Sequence, residues 1–204
     1  MDQAKKRAAI FVSGSGTNME QIALGSQRGE LACEIALIVC DHPKAYALER
    51  AKRLGLETFV LEGKNFKSRM ELEARIEERL NAKRIEAIFL AGFMRVLSPE
   101  FVRVWHGRIL NIHPSLLPKY PGTRAIRDAL EAKEKETGVT IHIVDEGVDT
   151  GPIILQRKVR IDPEDTLETL EARVHQTEYE LYPAAIRLFL SGTLTQKMGK
   201  AEPC

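Results

Sequence analysis

The sequence predicts a doubly wound α/β fold: a mostly parallel, twisted sheet with helices on both faces and a partly antiparallel C-terminal edge. Three observations predict it. Short apolar runs alternate with stretches of helical spacing as far as His113. The runs at 8–12, 35–39 and 87–91 are almost wholly apolar, as strands covered on both faces are. Two further runs, 139–144 and 153–161, follow each other with only a loop between them, which suits antiparallel neighbours.

The elements follow in order. Ala8–Val12 is strand-like and ends at Ser13-Gly14-Ser15-Gly16; helical spacing then covers 18–28 through Met19, Ile22 and Ala23. A second strand spans Ile35–Val39. Residues 45–54 read as a helix closed by Gly55, and 58–61 as a third strand. Residues 67–82 carry Met70, Leu72, Ile76 and Leu80 at amphipathic spacing. A fourth strand covers 87–91. Ser98-Pro99 is a helix start, because serine caps and proline at the first position loses no needed hydrogen bond. A fifth strand covers 109–112, a proline-rich irregular loop 114–123, and a helix 124–133. After the strands at 139–144 and 153–161, Asp165 and Glu168 form a capping-box pattern. The final helix carries Leu167, Leu170, Val174 and Leu181 on one side, with Pro183 expected to kink it. There is no repeat, low-complexity stretch or linker, so one domain over 1–204 is the economical expectation.

Charge narrows the function classes. Lys and Arg total 30 against 29 Asp and Glu, which gives no global field for nucleic acid or an anionic membrane. No apolar run is long enough to span a bilayer, and 8–12 is too short for a signal-peptide core. Cys33, Cys40 and Cys204 are odd in number and form no CxxC, which predicts reduced thiols, a cytoplasmic location and no zinc site.

Three motifs carry chemistry. Ser13-Gly14-Ser15-Gly16-Thr17-Asn18 joins the first strand to the first helix, where open α/β sheets bind ligands. Its glycines allow close backbone approach, and the free N–H groups of the helix start favour an anion such as phosphate. It is neither a dinucleotide fingerprint, since Met19 stands where the third glycine belongs, nor a P-loop, which needs Gly-Lys-Ser/Thr. The second motif places Asn111 and His113 two residues apart on one strand, hence on one face, just before Pro114. The third is the loop Asp145-Glu146-Gly147-Val148-Asp149-Thr150-Gly151-Pro152. One of its carboxylates is expected to face His113, where its charge favours an imidazolium. Residue chemistry leaves Asp145, Glu146 and Asp149 all open for that role. No HExxH pattern supports zinc, and no GxSxG elbow frames Ser115 as a nucleophile.

With these motifs, and with 90–99, 110–118 and 148–154, the chain resembles the folate-dependent formyltransferases over nearly its whole length. The 13–18 motif resembles the small members that act in purine synthesis. The resemblance implies transfer of a formyl group from 10-formyltetrahydrofolate to the amine of glycinamide ribonucleotide, without a metal. It also implies Asn111, His113 and Asp149 as the catalytic trio. Ser15, Gly16, Thr17 and Asn18 become the phosphate loop, Glu178 the carboxylate on the ribose hydroxyls, and Arg69 a basic residue near the phosphate. Phe93, Met94, Arg95, Val96 and Leu97, with Val144, Asp145, Glu146, Gly147 and Val148, become the folate wall. Both small molecules are then partners, nucleic acid and membrane are not, and a homodimer is left open. Residues 122–127 lack the histidines that some members carry, and the resemblance assigns them no role, nor the tail after Gly192. Members that formylate methionyl-tRNA add an RNA-binding domain, and formyltetrahydrofolate deformylases add an N-terminal regulatory domain. A chain whose resemblance runs from about residue 8 to 190 is expected to carry neither. From another class, a non-catalytic nucleotide- or folate-binding module would show the glycine loop without productive acid–base geometry.

Overall fold

The computed structural model describes residues 5–62 and 66–192; Cys204 and the tail beyond Gly192 lie outside the described residues. Seven strands form one sheet in the order β3-β2-β1-β4-β5-β6-β7. They are β1 (Lys6–Val12), β2 (Cys33–Cys40), β3 (Thr58–Val60), β4 (Ala87–Leu90), β5 (Ile109–His113), β6 (Glu136–Ile143) and β7 (Ile153–Arg160). The first five pair in parallel. β6 and β7 run antiparallel at the C-terminal edge, as the sequence predicts. The helices are α1 (Thr17–Gln27), α2 (Tyr46–Arg53), α3 (Arg69–Ala82), α4 (Pro99–Val104), α5 (Ala125–Glu131) and α6 (Leu167–Leu190).

Period-2 alternation splits the strands between two cores. In β1, Ala8, Ile10 and Val12 face one layer, where Met19 and Ile22 of α1 and Val174 and Tyr182 of α6 pack. Ala9 and Phe11 face the other, against Leu72, Ile76 and Leu80 of α3 and Phe101 and Trp105 near α4. Both faces of the parallel strands are therefore covered, which is why those strands read as unbroken apolar runs.

Several ends are fixed by the chemistry the sequence announces. Ser98 accepts from the Phe101 N–H with Pro99 in the first turn of α4. Gly55, at φ 67°, closes α2 with a pair of backbone bonds: its own N–H to Lys52 O, and Leu56 N–H to Ala51 O. That is the Schellman arrangement, and a left-handed φ is what glycine supplies there. Three expectations shift. The capping box of α6 is Thr166 with Thr169, one residue later than the Asp165/Glu168 pattern. Asp165 instead binds Arg173 and the Thr169 hydroxyl. Met70 is 77% exposed, because two residues before Leu72 it falls nearly opposite the buried Leu72–Ile76–Leu80 face of α3. β6 begins at Glu136, three residues before its apolar run, because its ladder with β7 continues through Thr137 and Gly138. The final helix continues across Pro183 to Leu190.

Cys33 and Cys40 are buried free thiols, and burial pushes Cys33 up to about 11, so neither is a reactive thiolate near neutral pH. Among the described residues no helix is long and apolar enough to cross a membrane.

Candidate active site

The chain turns back across the sheet between β1 and β4: β2 and β3 lie on one side of β1, β4 and β5 on the other. At such a switch point the loops leaving neighbouring strands diverge and open a crevice at their carboxyl ends. Here a cleft of about 390 Å³ opens there, lined by the 14–18 loop, the segment 90–97, residues 111–114 and the 144–149 loop.

The 13–18 loop is held from two sides. Ser13 N–H donates to Gly92 O, and Met94 N–H donates to Ser13 Oγ, so the loops after β1 and β4 are tied to each other. On the other side, Ala47 N–H donates to Gly14 O and Arg50 Nε donates to Ser15 O. Gly16 has φ 75°, and a Cβ there would lie 2.6 Å from the Ala47 Cβ, so α2 closes on the loop only because residue 16 has no side chain. Asn18 Nδ2 donates to Glu178 Oε2 at 2.8 Å, and His175 Nδ1 donates to the same oxygen at 2.9 Å. The hydrogen bond to Glu178 raises His175 above its usual imidazole value, against the opposing effect of its burial. Glu178 is 4% exposed within the apolar face of α6, four residues from Val174 and three from Leu181. A carboxylate in such a stripe is a sequence signal for a site that residue-level reading had passed over.

Asn111 and His113 leave the same face of β5, and Asp149 meets both. Asn111 Nδ2 donates to Asp149 Oδ1 at 3.3 Å, and His113 Nδ1 lies 3.3 Å from Asp149 Oδ2. The Gly122 N–H adds a bond of 2.9 Å to Asp149 Oδ2, and the His113 Nε2–H donates to Tyr120 O at 2.8 Å. Burial works to raise the Asp149 carboxyl. The His142 and Gly122 hydrogen bonds and the two nearby imidazoles outweigh it and hold the group below the ordinary carboxylate value. His142, which the motif reading missed, is directly opposite Asn111 in the β5–β6 register and 2% exposed. Its Nε2 is 3.1 Å from Asn111 Nδ2 and 3.5 Å from Asp149 Oδ1. The alternation of Thr140 and His142 with apolar neighbours was the available signal.

The other expected residues divide. Phe93, Met94, Arg95, Val96, Leu97, Val144, Asp145, Gly147 and Val148 line the cleft, as do Ser15, Gly16, Thr17, Asn18 and Glu178. Met94, Val96 and Val148 remain more than half exposed, an uncovered apolar wall of the kind a flat ring system covers. Arg95 pairs with Asp41. Glu146 stands outside the lining and reaches toward Arg103 at 3.6 Å. Arg69 is not brought to the glycine loop. It lines a smaller cleft with Phe93, Arg95, Val96 and Leu97, and its Nε bonds Glu73 at 3.1 Å. No cluster of three or more His, Cys, Asp or Glu side chains suited to a metal occurs among the described residues.

Fold and cleft together define an α/β protein with a glycine loop beside an amide–imidazole–carboxylate centre. The family model for formyl transferases matches residues 6–186, and the chain belongs to that family. It is 42% identical over 185 residues to the phosphoribosylglycinamide formyltransferase of Bacillus subtilis, covering 91% of this chain and 95% of that one. It is 44% identical over 195 residues to the trifunctional purine biosynthetic protein adenosine-3 of Drosophila melanogaster, covering 95% of this chain but only 14% of that protein's length. The crystal structure of the phosphoribosylglycinamide formyltransferase from Bacillus halodurans superposes with a TM-score of 0.89 at 47% identity, over 92% of this chain and 97% of that one.

Proposed function

We propose that this chain transfers the formyl group of 10-formyltetrahydrofolate to the amine of glycinamide ribonucleotide, giving the N-formyl ribonucleotide and tetrahydrofolate in purine synthesis. The observation that carries the reading is the meeting of Asn111, His113 and Asp149 in one cleft that a glycine loop and an exposed apolar wall also line. The two linings match the two reactants. The N–H groups of the 14–18 loop suit a phosphate, and Glu178 suits ribose hydroxyls. The wall of Met94, Val96 and Val148 suits a pteridine ring, and a flat ring laid there would cover side chains now open to water.

The chemistry follows from charge. Attack of the amine on the formyl carbon leaves an oxyanion and an ammonium in one tetrahedral intermediate. An Asn111 N–H stabilises the oxyanion, a contribution of about 2.7–4 kcal/mol for one well-placed donor. His113 donates a proton toward the same oxygen or to the departing folate nitrogen. Both of its ring nitrogens now face oxygens, Asp149 Oδ2 and Tyr120 O, so it acts once the Tyr120 contact is exchanged for the ligand. Asp149, already held as a carboxylate, orients the ring and receives the amine proton through water.

Incubation with the formyl donor and, separately, glycinamide ribonucleotide, methionyl-tRNA or no acceptor tests the reading. Donor consumption is expected only with the ribonucleotide. Consumption without an acceptor makes the protein a deformylase, and consumption only with the tRNA makes it a tRNA-modifying member.

A further inference from the structure

The reading just given asks Asn111 for an N–H at the reacting oxygen, yet its two amide hydrogens are already directed elsewhere, one at His142 Nε2 and one at Asp149 Oδ1. The amide oxygen is left for the cleft. His142 controls this arrangement through one atom. Its Nδ1 faces the carbonyl of Ile143 at 3.0 Å, which only accepts, so Nδ1 carries a hydrogen. Nε2 is then the variable end. With a lone pair there, it accepts from Asn111 Nδ2 and turns the amide oxygen outward. With a hydrogen there, it donates to an amide oxygen, and the amide presents its N–H groups to the cleft instead.

We propose that His142 is a positioning residue that sets which end of the Asn111 side chain faces the reacting formyl group. The proposal rests on the formyl-transfer reading and adds a residue to it. The surroundings leave His142 few other partners. Asn111 lies opposite it on β5, Ile153 opposite it on β7, and Asp149 is the charged group at Nε2, with His113 on the far oxygen of that carboxylate. The ring is 2% exposed, so water does not substitute for it. When the amide turns, Asp149 gives up the Asn111 N–H but keeps the Gly122 N–H and the facing His113 ring on its other oxygen, which hold it in place.

Steady-state kinetics of H142A, H142Q, N111A and the doubles N111A/H142A and N111A/H142Q test this. His142→Ala is expected to lower kcat about tenfold or more, short of the roughly 10²–10³-fold that loss of a whole oxyanion donor costs. KM for both substrates should stay within about threefold, since the orientation matters to the transition state and not to ground-state binding. His142→Gln keeps a polar group that fills the site and supports folding, but either of its ends can meet Asn111, so it is expected to show the same loss. In the N111A background, either His142 change should cost less than about twofold more, the non-additivity of two residues acting through one interaction. Losses that multiply, or a loss falling in KM, overturn the proposal. An unimpaired kcat in N111A alone would instead sink the catalytic reading itself, so the two failures are told apart.

Discussion

Of the three carboxylates in the 145–152 loop, one reaches the imidazole, and backbone conformation decides which. Asp149 sits at φ 55°, a left-handed turn that directs its side chain in under the cleft. Asp145 is spent on its own loop, accepting from Gly147 N–H and the Thr150 hydroxyl, and Glu146 points out toward Arg103. Asn111 and His113 could be read from the sequence because strand alternation alone puts them on one face. The carboxylate could not, because its selection depends on dihedral angles that three adjacent acidic residues do not announce. His142 was legible in principle by the same alternation, but only once β6 was known to pair with β5. His113→Ala is predicted to lower kcat by about 10²–10⁴-fold, the range for a positioned acid or base, with far smaller changes in KM. Initial-rate kinetics with each substrate varied checks it, and a loss confined to KM contradicts the assignment.

At the scale of elements, α6 does most to hold the site together. It supplies Glu178 to the cleft, and its buried Tyr182 hydroxyl lies 2.9 Å from Leu90 O, at the end of β4, and 3.0 Å from Leu110 O in the neighbouring β5. Tyr182→Phe leaves those carbonyls facing an apolar ring. It is predicted to cost about 1–3 kcal/mol, seen as a lower urea midpoint at unchanged slope. The start of α6 gives a pH prediction. The Arg173 guanidinium, with the Asp162 N–H, holds the Asp165 carboxyl well below its ordinary value of 3.8. A depressed native value stabilises the fold above the unfolded pKa and loses that contribution as pH falls through the native one. Asp165→Asn is therefore predicted to lower the urea midpoint at neutral pH and to converge on the parent as pH drops below 3.8. A gap that stays constant across an acid series would contradict it. The order and type of these elements were legible from apolar periodicity and capping chemistry. The capping box and the start of β6 were not, because side-chain competition at Asp165 and ladder pairing to β7 decide them rather than local propensity.

At the scale of the whole molecule, the sheet's change of direction between β1 and β4 creates the cleft. The Ser13–Gly92 and Ser13–Met94 bonds fix how far its two rims stand apart. The same cleft is lined by an anion loop, an apolar wall and a carboxylate-facing imidazole that are distant in sequence. The sequence shows each piece on its own motif. Their distance follows only from strand order, which no single motif encodes. Both reactants are expected to occupy this one cleft, with the formyl carbon passing directly between them. Carbon-13 in the formyl group of the folate, followed by NMR during turnover with glycinamide ribonucleotide, tests this direct transfer. The label is expected to appear on the ribonucleotide nitrogen as a formamide in step with its loss from the folate. Label accumulating as free formate, or leaving the folate at the same rate without the ribonucleotide, would contradict it.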